Sequence, residues 1–264
     1  MKTADIISPQ RLLHLLKRDL LSNRNTTVII FGAITAIIYL ISAVTAYSYS
    51  PSDKLYTSLF TKFLFAGGLI ASSMIFKEMH MKETAQNYLL LPASNFEKFF
   101  ARLLISTVGF AALSIFGLSL ISYLCEGINT LILNRHNQIF NPFTKDIWMI
   151  TAHYFVVQSL FFLGAVYFRN YNFIKTINVI FLSTVFILII GVFFTKIVYF
   201  DISNGFPGIN DITLLVQGNR ITLNLKNIDT ITSIIKPLYW IIPAPLFWTI
   251  AYFRIKEEEV KNAI

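Results

Sequence analysis

The sequence predicts an all-α polytopic membrane protein. It would have six transmembrane helices, an amphipathic interfacial helix before them, and a small extracytoplasmic segment with a hairpin signal between the fifth and sixth. Two observations carry this reading. Only 14% of the 264 residues are charged while 55% are hydrophobic, with mean hydropathy +0.61; soluble domains carry about 25% charged residues. The apolar residues also gather into runs long enough to cross hydrocarbon, which takes about 20 residues of helix.

Six such runs are predicted, at 27–47, 58–76, 96–124, 147–167, 176–197 and 238–253, within one transmembrane domain spanning 1–264. The third exceeds what a bilayer requires and should tilt or project into water. The sixth is short and contains Pro243 and Pro245, which predict a kink.

Charge sets the expected orientation. With both termini cytoplasmic, eight of the 22 Lys and Arg fall outside (Lys54, Lys62, Arg135, Lys145, Lys196, Arg220, Lys226 and Lys236), leaving fourteen inside, including the basic N-terminus. Because basic residues lie between apolar runs rather than in one patch, the net charge of +8 reads as topology and no nucleic-acid partner is expected. No small-residue cleavage site follows a short apolar core, so no cleavable signal peptide is expected. The single cysteine, Cys125, rules out a disulfide framework and a Cys-based zinc site.

Residues 8–22 predict a different helix. Ser8 can cap it and Pro9 occupies its first position. Leu12, Leu13, Leu15, Leu16 and Leu20 fall in one arc of about 160°, opposite Arg11, Lys17 and Arg18. Such a helix lies in the headgroup plane; the plainer alternative is a basic tail that orients the first span.

The first loop on the same side runs from Lys77 to Lys98. Residues 82–91 predict a short helix that stops before Pro92, and Ser94 with Glu97 has the S-x-x-E spacing of a capping box for the third span. Helix, stop and capped helix make a rigid knob whose Tyr88, Leu89, Leu90 and Leu91 need an apolar cover, from a partner protein or from lipid. On the other side, within 199–235, Ile212–Val216 and Ile221–Leu225 flank Gln217-Gly218-Asn219-Arg220 and predict a tight hairpin.

Chemistry is sparse. There is no phosphate loop for ATP, no H-E-x-x-H and no clustering of the four histidines, so neither a catalytic nor a metal site is expected. Apart from Glu97 at the start of the third, no Asp or Glu falls inside the six predicted runs, which disfavours ion-coupled transport. His153, two turns into the fourth run, is open to helix packing or to lining a translocation path. Ser119 with His153 gives a faint echo of intramembrane proteolysis, although Ser and Gly are ordinary packing residues there. Gly67, Gly68 and Gly109 are expected at close helix contacts.

Three stretches carry a family resemblance: Arg11-Leu-Leu-His-Leu-Leu-Lys-Arg-Asp-Leu20, Tyr88-Leu-Leu-Leu-Pro-Ala-Ser-Asn-Phe-Glu-Lys98-Phe-Phe-Ala-Arg102, and Ala251-Tyr-Phe-Arg-Ile-Lys-Glu-Glu-Glu-Val260. With six spans, they resemble the membrane subunit of a bacterial ABC-2 type (type V) ABC transporter. The middle stretch is similar to the LLLP-S-x-x-EK segment common in these permeases. The resemblance implies that 82–91 is a coupling helix, with Lys82, Glu83, Gln86, Tyr88, Leu89, Leu90 and Leu91 meeting a soluble cytoplasmic ATPase subunit that carries ATP and Mg. It implies that 8–22 is the elbow helix, and that a second permease, either another copy or a paralogue, completes a path in the bacterial inner membrane. This chain would then be no enzyme itself. The hairpin signal departs from the short re-entrant helices that family members often place at the exit. The rival readings are a non-transporting anchor or mechanical transducer on the same scaffold, and an intramembrane enzyme.

Overall fold

The computed structural model describes residues 24–48, 54–80, 94–198, 211–216, 219–224, 233 and 236–262. The expected interfacial helix 8–22, the expected coupling helix 82–91 and much of 199–235 lie outside the described residues.

Helix occupies all six apolar runs. The order is α1 (Arg24–Tyr47), α2 (Leu55–Met74), α3 (Asn95–Leu133), α4 (Lys145–Tyr167), α5 (Asn172–Val198) and α6 (Pro243–Asn262). Among the described residues, five helical segments are long and apolar enough to cross a membrane: α2, α3, α4, the Asn172–Phe193 part of α5, and Lys236–Glu257, which contains most of α6. The apolar part of α1, Gly32–Tyr47, is shorter. A bend at Ile242 interrupts the last run immediately before Pro243. The residue before a proline disfavours helical geometry, which places the break there. Between α5 and α6, strands β1 (Asp211–Val216) and β2 (Asn219–Asn224) pair antiparallel, from Asp211 opposite Asn224 to Val216 opposite Asn219. The second strand thus starts two residues before the β-prone run that the sequence suggests.

α2 shows how side-chain period makes the bundle. Tyr56, Phe60, Leu64, Gly68 and Ser72 repeat every fourth residue and are all buried. The opposite stripe, with Ser58, Lys62, Ile70 and Met74, is exposed. The buried stripe packs against α3 and α4. Gly68 is required there, because a Cβ would meet the Tyr154 ring at 2.5–2.8 Å, and Gly67 likewise faces Phe110 of α3. Gly109 departs from expectation: a Cβ there would meet only the carbonyl of Leu104 in its own helix, so no neighbouring helix requires it. α5 packs against α4 and α2, and its stretch 179–193 is otherwise largely exposed and mostly apolar.

α3 is not one regular helix. Asn95–Leu104 is α-helical, Ile105–Gly109 forms a π-helical turn, and Phe110–Leu133 is α-helical again. It runs past the expected end at Leu124 to Leu133 and stops at Asn134, whose left-handed conformation (φ 52°) closes the last turn.

Two hydrophobic cores result. One, toward Asn137, joins Ile38, Tyr56, Phe60, Leu64, Leu118, Ile121 and Tyr154. The other, toward Ser94, joins Phe76, Phe99, Leu103, Phe162, Val166, Ala251 and Ile255.

Candidate functional site

At the Ser94 end, the helices that flank residues 81–93 are locked to one another. Ser94 caps α3: its Oγ accepts from the Glu97 amide at 3.2 Å, and the Glu97 carboxylate accepts from the Ser94 amide at 2.9 Å. This is the reciprocal box that the S-x-x-E spacing predicts. Ser94→Ala should cost about 1 kcal/mol of stability, read as a thermal shift of the purified protein; an unchanged midpoint would mean that tertiary contacts alone hold this end.

One turn further, Arg102 Nη1 donates to the carbonyl of Ile75, and the guanidinium lies 5.2 Å from the centre of the Phe76 ring. The last carbonyls of a helix have no partner within it. Those near the end of α2 are satisfied from two sides, since Asn172 Nδ2 also donates to Ser73 O at 3.2 Å and to Ala165 O at 3.3 Å. Around them Phe76 and Phe99 both set their edges against Phe162, and Tyr252 of α6 packs on Phe96 and Phe99. Glu97, Lys98 and Arg102 are all buried. The ends of α2, α3, α4 and α6 therefore form one cross-braced block at the root of the segment that holds Lys82, Glu83, Gln86, Tyr88, Leu89, Leu90 and Leu91.

At the other end stands a group that the sequence reading places outside the spans. Glu126 belongs to α3 and is 2% exposed. Glu126 lies beyond Leu124, where the third run is expected to end, and the helix carries on past it to Leu133. Hydropathy falls at Glu126 and Asn129, but the helix continues because both are bonded to each other and to groups from other parts of the chain. The carboxylate accepts from Ser42 Oγ at 2.7 Å, Tyr56 Oη, Asn129 Nδ2 at 3.3 Å, the Asn137 amide at 2.7 Å and Asn137 Nδ2 at 3.2 Å. Asn129 also donates to Ser42 Oγ at 2.7 Å, and Asn137 Nδ2 to Ser42 O at 3.0 Å. Five donors on two oxygens use the acceptor capacity of a carboxylate, about four lone-pair sites, within the protein itself. Glu126 is thus a clamp joining α1, α2, α3 and the chain after α3. Arg135 Nη1 adds a bond to Tyr47 O at 3.3 Å, near the end of α1. Sequence carried one signal for this cluster: Glu126 and Asn129 are one turn apart, and the apolar Leu131, Ile132 and Leu133 follow.

His153 is half-buried on α4. Its Nδ1 lies 3.2 Å from Tyr239 Oη, and its ring lies 4.4 Å from that of Trp240. This joins α4 to the start of the last apolar run, which is the helix-to-helix role. Ser119 is not brought to it, because Ser119 Oγ donates to Ile115 O at 2.7 Å in its own helix. The described residues hold no group of three or more His, Cys, Asp or Glu arranged for a metal. Arg11, Leu12, Leu16, Lys17 and Arg18 lie outside the described residues.

Comparison with known proteins finds no matching family model, no matching curated protein and no matching solved structure. What the fold defines is a class: a helical membrane protein with at least five helices long and apolar enough to span the bilayer.

Proposed function

We propose that this chain is the membrane-spanning permease subunit of an ATP-driven ABC-2 type exporter. All six apolar helices would cross a bacterial inner membrane, with both termini in the cytoplasm. The observation that carries the reading is the braced block around Ser94, Arg102 and Asn172. It is built from the described residues on either side of 82–91 in the chain, the segment that resembles a coupling helix. A push on a loop does work only if its roots are stiff. Here the roots are two long helices joined by the bond from Arg102 to Ile75 O and by the edge contacts of Phe76 and Phe99 with Phe162, so a displacement there reaches four helices together. The chain's sequence has no phosphate loop of its own, which fits a separate soluble ATPase subunit binding ATP and Mg.

In this reading 8–22 is the elbow helix on the cytoplasmic headgroup layer. The β1–β2 pair belongs to the segment that caps the exit, and α5, whose exposed stretch 179–193 is mostly apolar, faces lipid or a second permease.

The test is co-purification in mild detergent from the native host, with every stoichiometric companion identified by mass spectrometry. A soluble ATPase is expected, and it should be lost when Leu89 and Leu90 are both replaced by Asp. The double variant should remain monodisperse with an unchanged melting midpoint. Recovery of this chain alone, under conditions that keep known complexes together, would overturn the coupling assignment and favour the anchor reading.

A further inference from the structure

α2 carries a polar stripe on the face it turns away from the bundle. Lys54, Ser58 and Lys62 follow one another at every fourth position, and all three are exposed. On a helix that spacing puts them one above another. Lys54 stands at the N-cap, where a cation at a membrane surface is ordinary. Lys62 is deeper. It lies seven residues inside α2 from Leu55, about 10 Å along the axis of a helix apolar enough to span the bilayer. Its side chain leans toward the Leu55 end and lifts the ammonium by about one turn, roughly half of that depth. Among the described residues neither lysine has a carboxylate partner.

Beside this stripe α1 and α2 both pack on α3, and an apolar groove runs between them. Ile34 and Ile38 of α1 form one wall. Phe63 of α2, the residue after Lys62, forms the other, and Leu113, Ser114 and Gly117 of α3 lie in the floor. The groove encloses about 320 Å³ with its open side included. Its one hydroxyl is already used, because Ser114 Oγ donates to Phe110 O at 2.8 Å. Leu113 is 59% exposed, so the groove opens outward to whatever surrounds the helices. With the ammonium leaning toward Leu55 and the groove at the depth of Phe63, charge stands above apolar wall. That is the order of groups along a phospholipid.

We propose that this face of α2 binds one anionic phospholipid. Lys62, with Ser58 and Lys54, holds the phosphate, and one acyl chain lies in the groove. A lone ammonium within hydrocarbon is costly, and a lipid phosphate is the anion that the bilayer itself supplies. A zwitterionic headgroup brings its own cation to compete with the lysines. The inference needs only that α2 spans a bilayer, so it does not rest on the transport reading.

The experiment uses the full chain in nanodiscs containing phosphatidylglycerol and phosphatidylcholine, with a trace of one or the other carrying a diazirine midway along an acyl chain. After illumination, labelled peptides are quantified by mass spectrometry. The phosphatidylglycerol probe should label the peptides holding Ile34–Ile38 and Leu113–Gly117 in preference to the exposed stretch 179–193 of α5, and the phosphatidylcholine probe should show no such preference. Lys62→Gln should lower groove labelling by the phosphatidylglycerol probe about five-fold, the weight of one lysine at an anionic headgroup. Lys62→Arg should keep the labelling, and Lys145→Gln, at an exposed lysine that starts α4, should leave it unchanged. Leu113→Trp fills the groove from an exposed position and should abolish the labelling with the melting midpoint unchanged. Equal labelling by the two probes, or groove labelling unchanged by Lys62→Gln, would overturn the proposal and leave the groove wetted by bulk lipid. Labelling that persists in Leu113→Trp would overturn the groove as the seat of the chain.

Discussion

Glu126→Ala is expected to lower the stability of this protein by about 3–5 kcal/mol, because it strands several buried donors at once. The hydroxyls of Ser42 and Tyr56 can turn toward each other, since they already lie 3.3 Å apart. The Asn137 amide cannot turn, and its side chain keeps only Ser42 O as an acceptor. For a chain of this size that loss corresponds to a fall in melting midpoint of about 10 °C. Glu126→Gln should fall between, because one oxygen remains while the new NH2 faces donors. The measurement is thermal unfolding in detergent followed by size-exclusion recovery. A midpoint within about 2 °C of the parent for Glu126→Ala would show that apolar packing, not the carboxylate, holds α1, α2 and α3 together at this end.

The second large effect is expected at Gly68. Its missing Cβ gives room to the ring of Tyr154, which a methyl group would meet at 2.5–2.8 Å. That ring is not free to swing aside. It is fully buried, it touches Phe65, Phe110 and Phe155, and its hydroxyl is bonded to Ser106 O. Gly68→Ala must therefore separate α2 from α4 or break that bond, at a cost of about 1–3 kcal/mol for the overpacking alone. Tyr154→Leu on its own should also destabilise, by leaving a cavity. Combined, the two changes should cost less than their sum, because the smaller side chain makes the space that the methyl group needs. Thermal midpoints of the two single variants and the double variant give the coupling directly. Simple additivity would mean that the helices separate elsewhere and that Gly68 is not the point of contact.

The sequence reading succeeds where the cause is local. The Ser94–Glu97 cap is legible because both partners lie within one helical turn, and the box needs nothing else. The six apolar stretches are legible because hydrocarbon thickness sets a length that residues can be counted against. Gly67 and Gly68 are legible as close contacts, but not their partners, Phe110 and Tyr154, which the chain brings from far away.

The failures have the opposite cause. Arg102 counts only as one more basic residue near a span until folding places it on Ile75 O, 27 residues away in sequence. Glu126 reads as the point where a span ends, since a lone carboxylate in hydrocarbon costs far more than a helix turn returns. Five donors from α1, α2, α3 and the following loop reverse that sum, and four of those five bonds come from residues at least 11 positions distant. Gly109 is misread because a π turn is a property of helix register, invisible to composition.

By itself, then, the sequence determined the helical and apolar character of the chain, the rough limits of its apolar helices, and the cap that starts the third. These follow from transfer free energies and hydrogen bonds whose partners are one turn apart. Tertiary structure alone decided where charge is tolerated, which helix ends are braced and where the bundle divides into two cores. Each of these depends on a hydrogen-bond partner or a packing face supplied by another helix, and no local pattern specifies which helix that is.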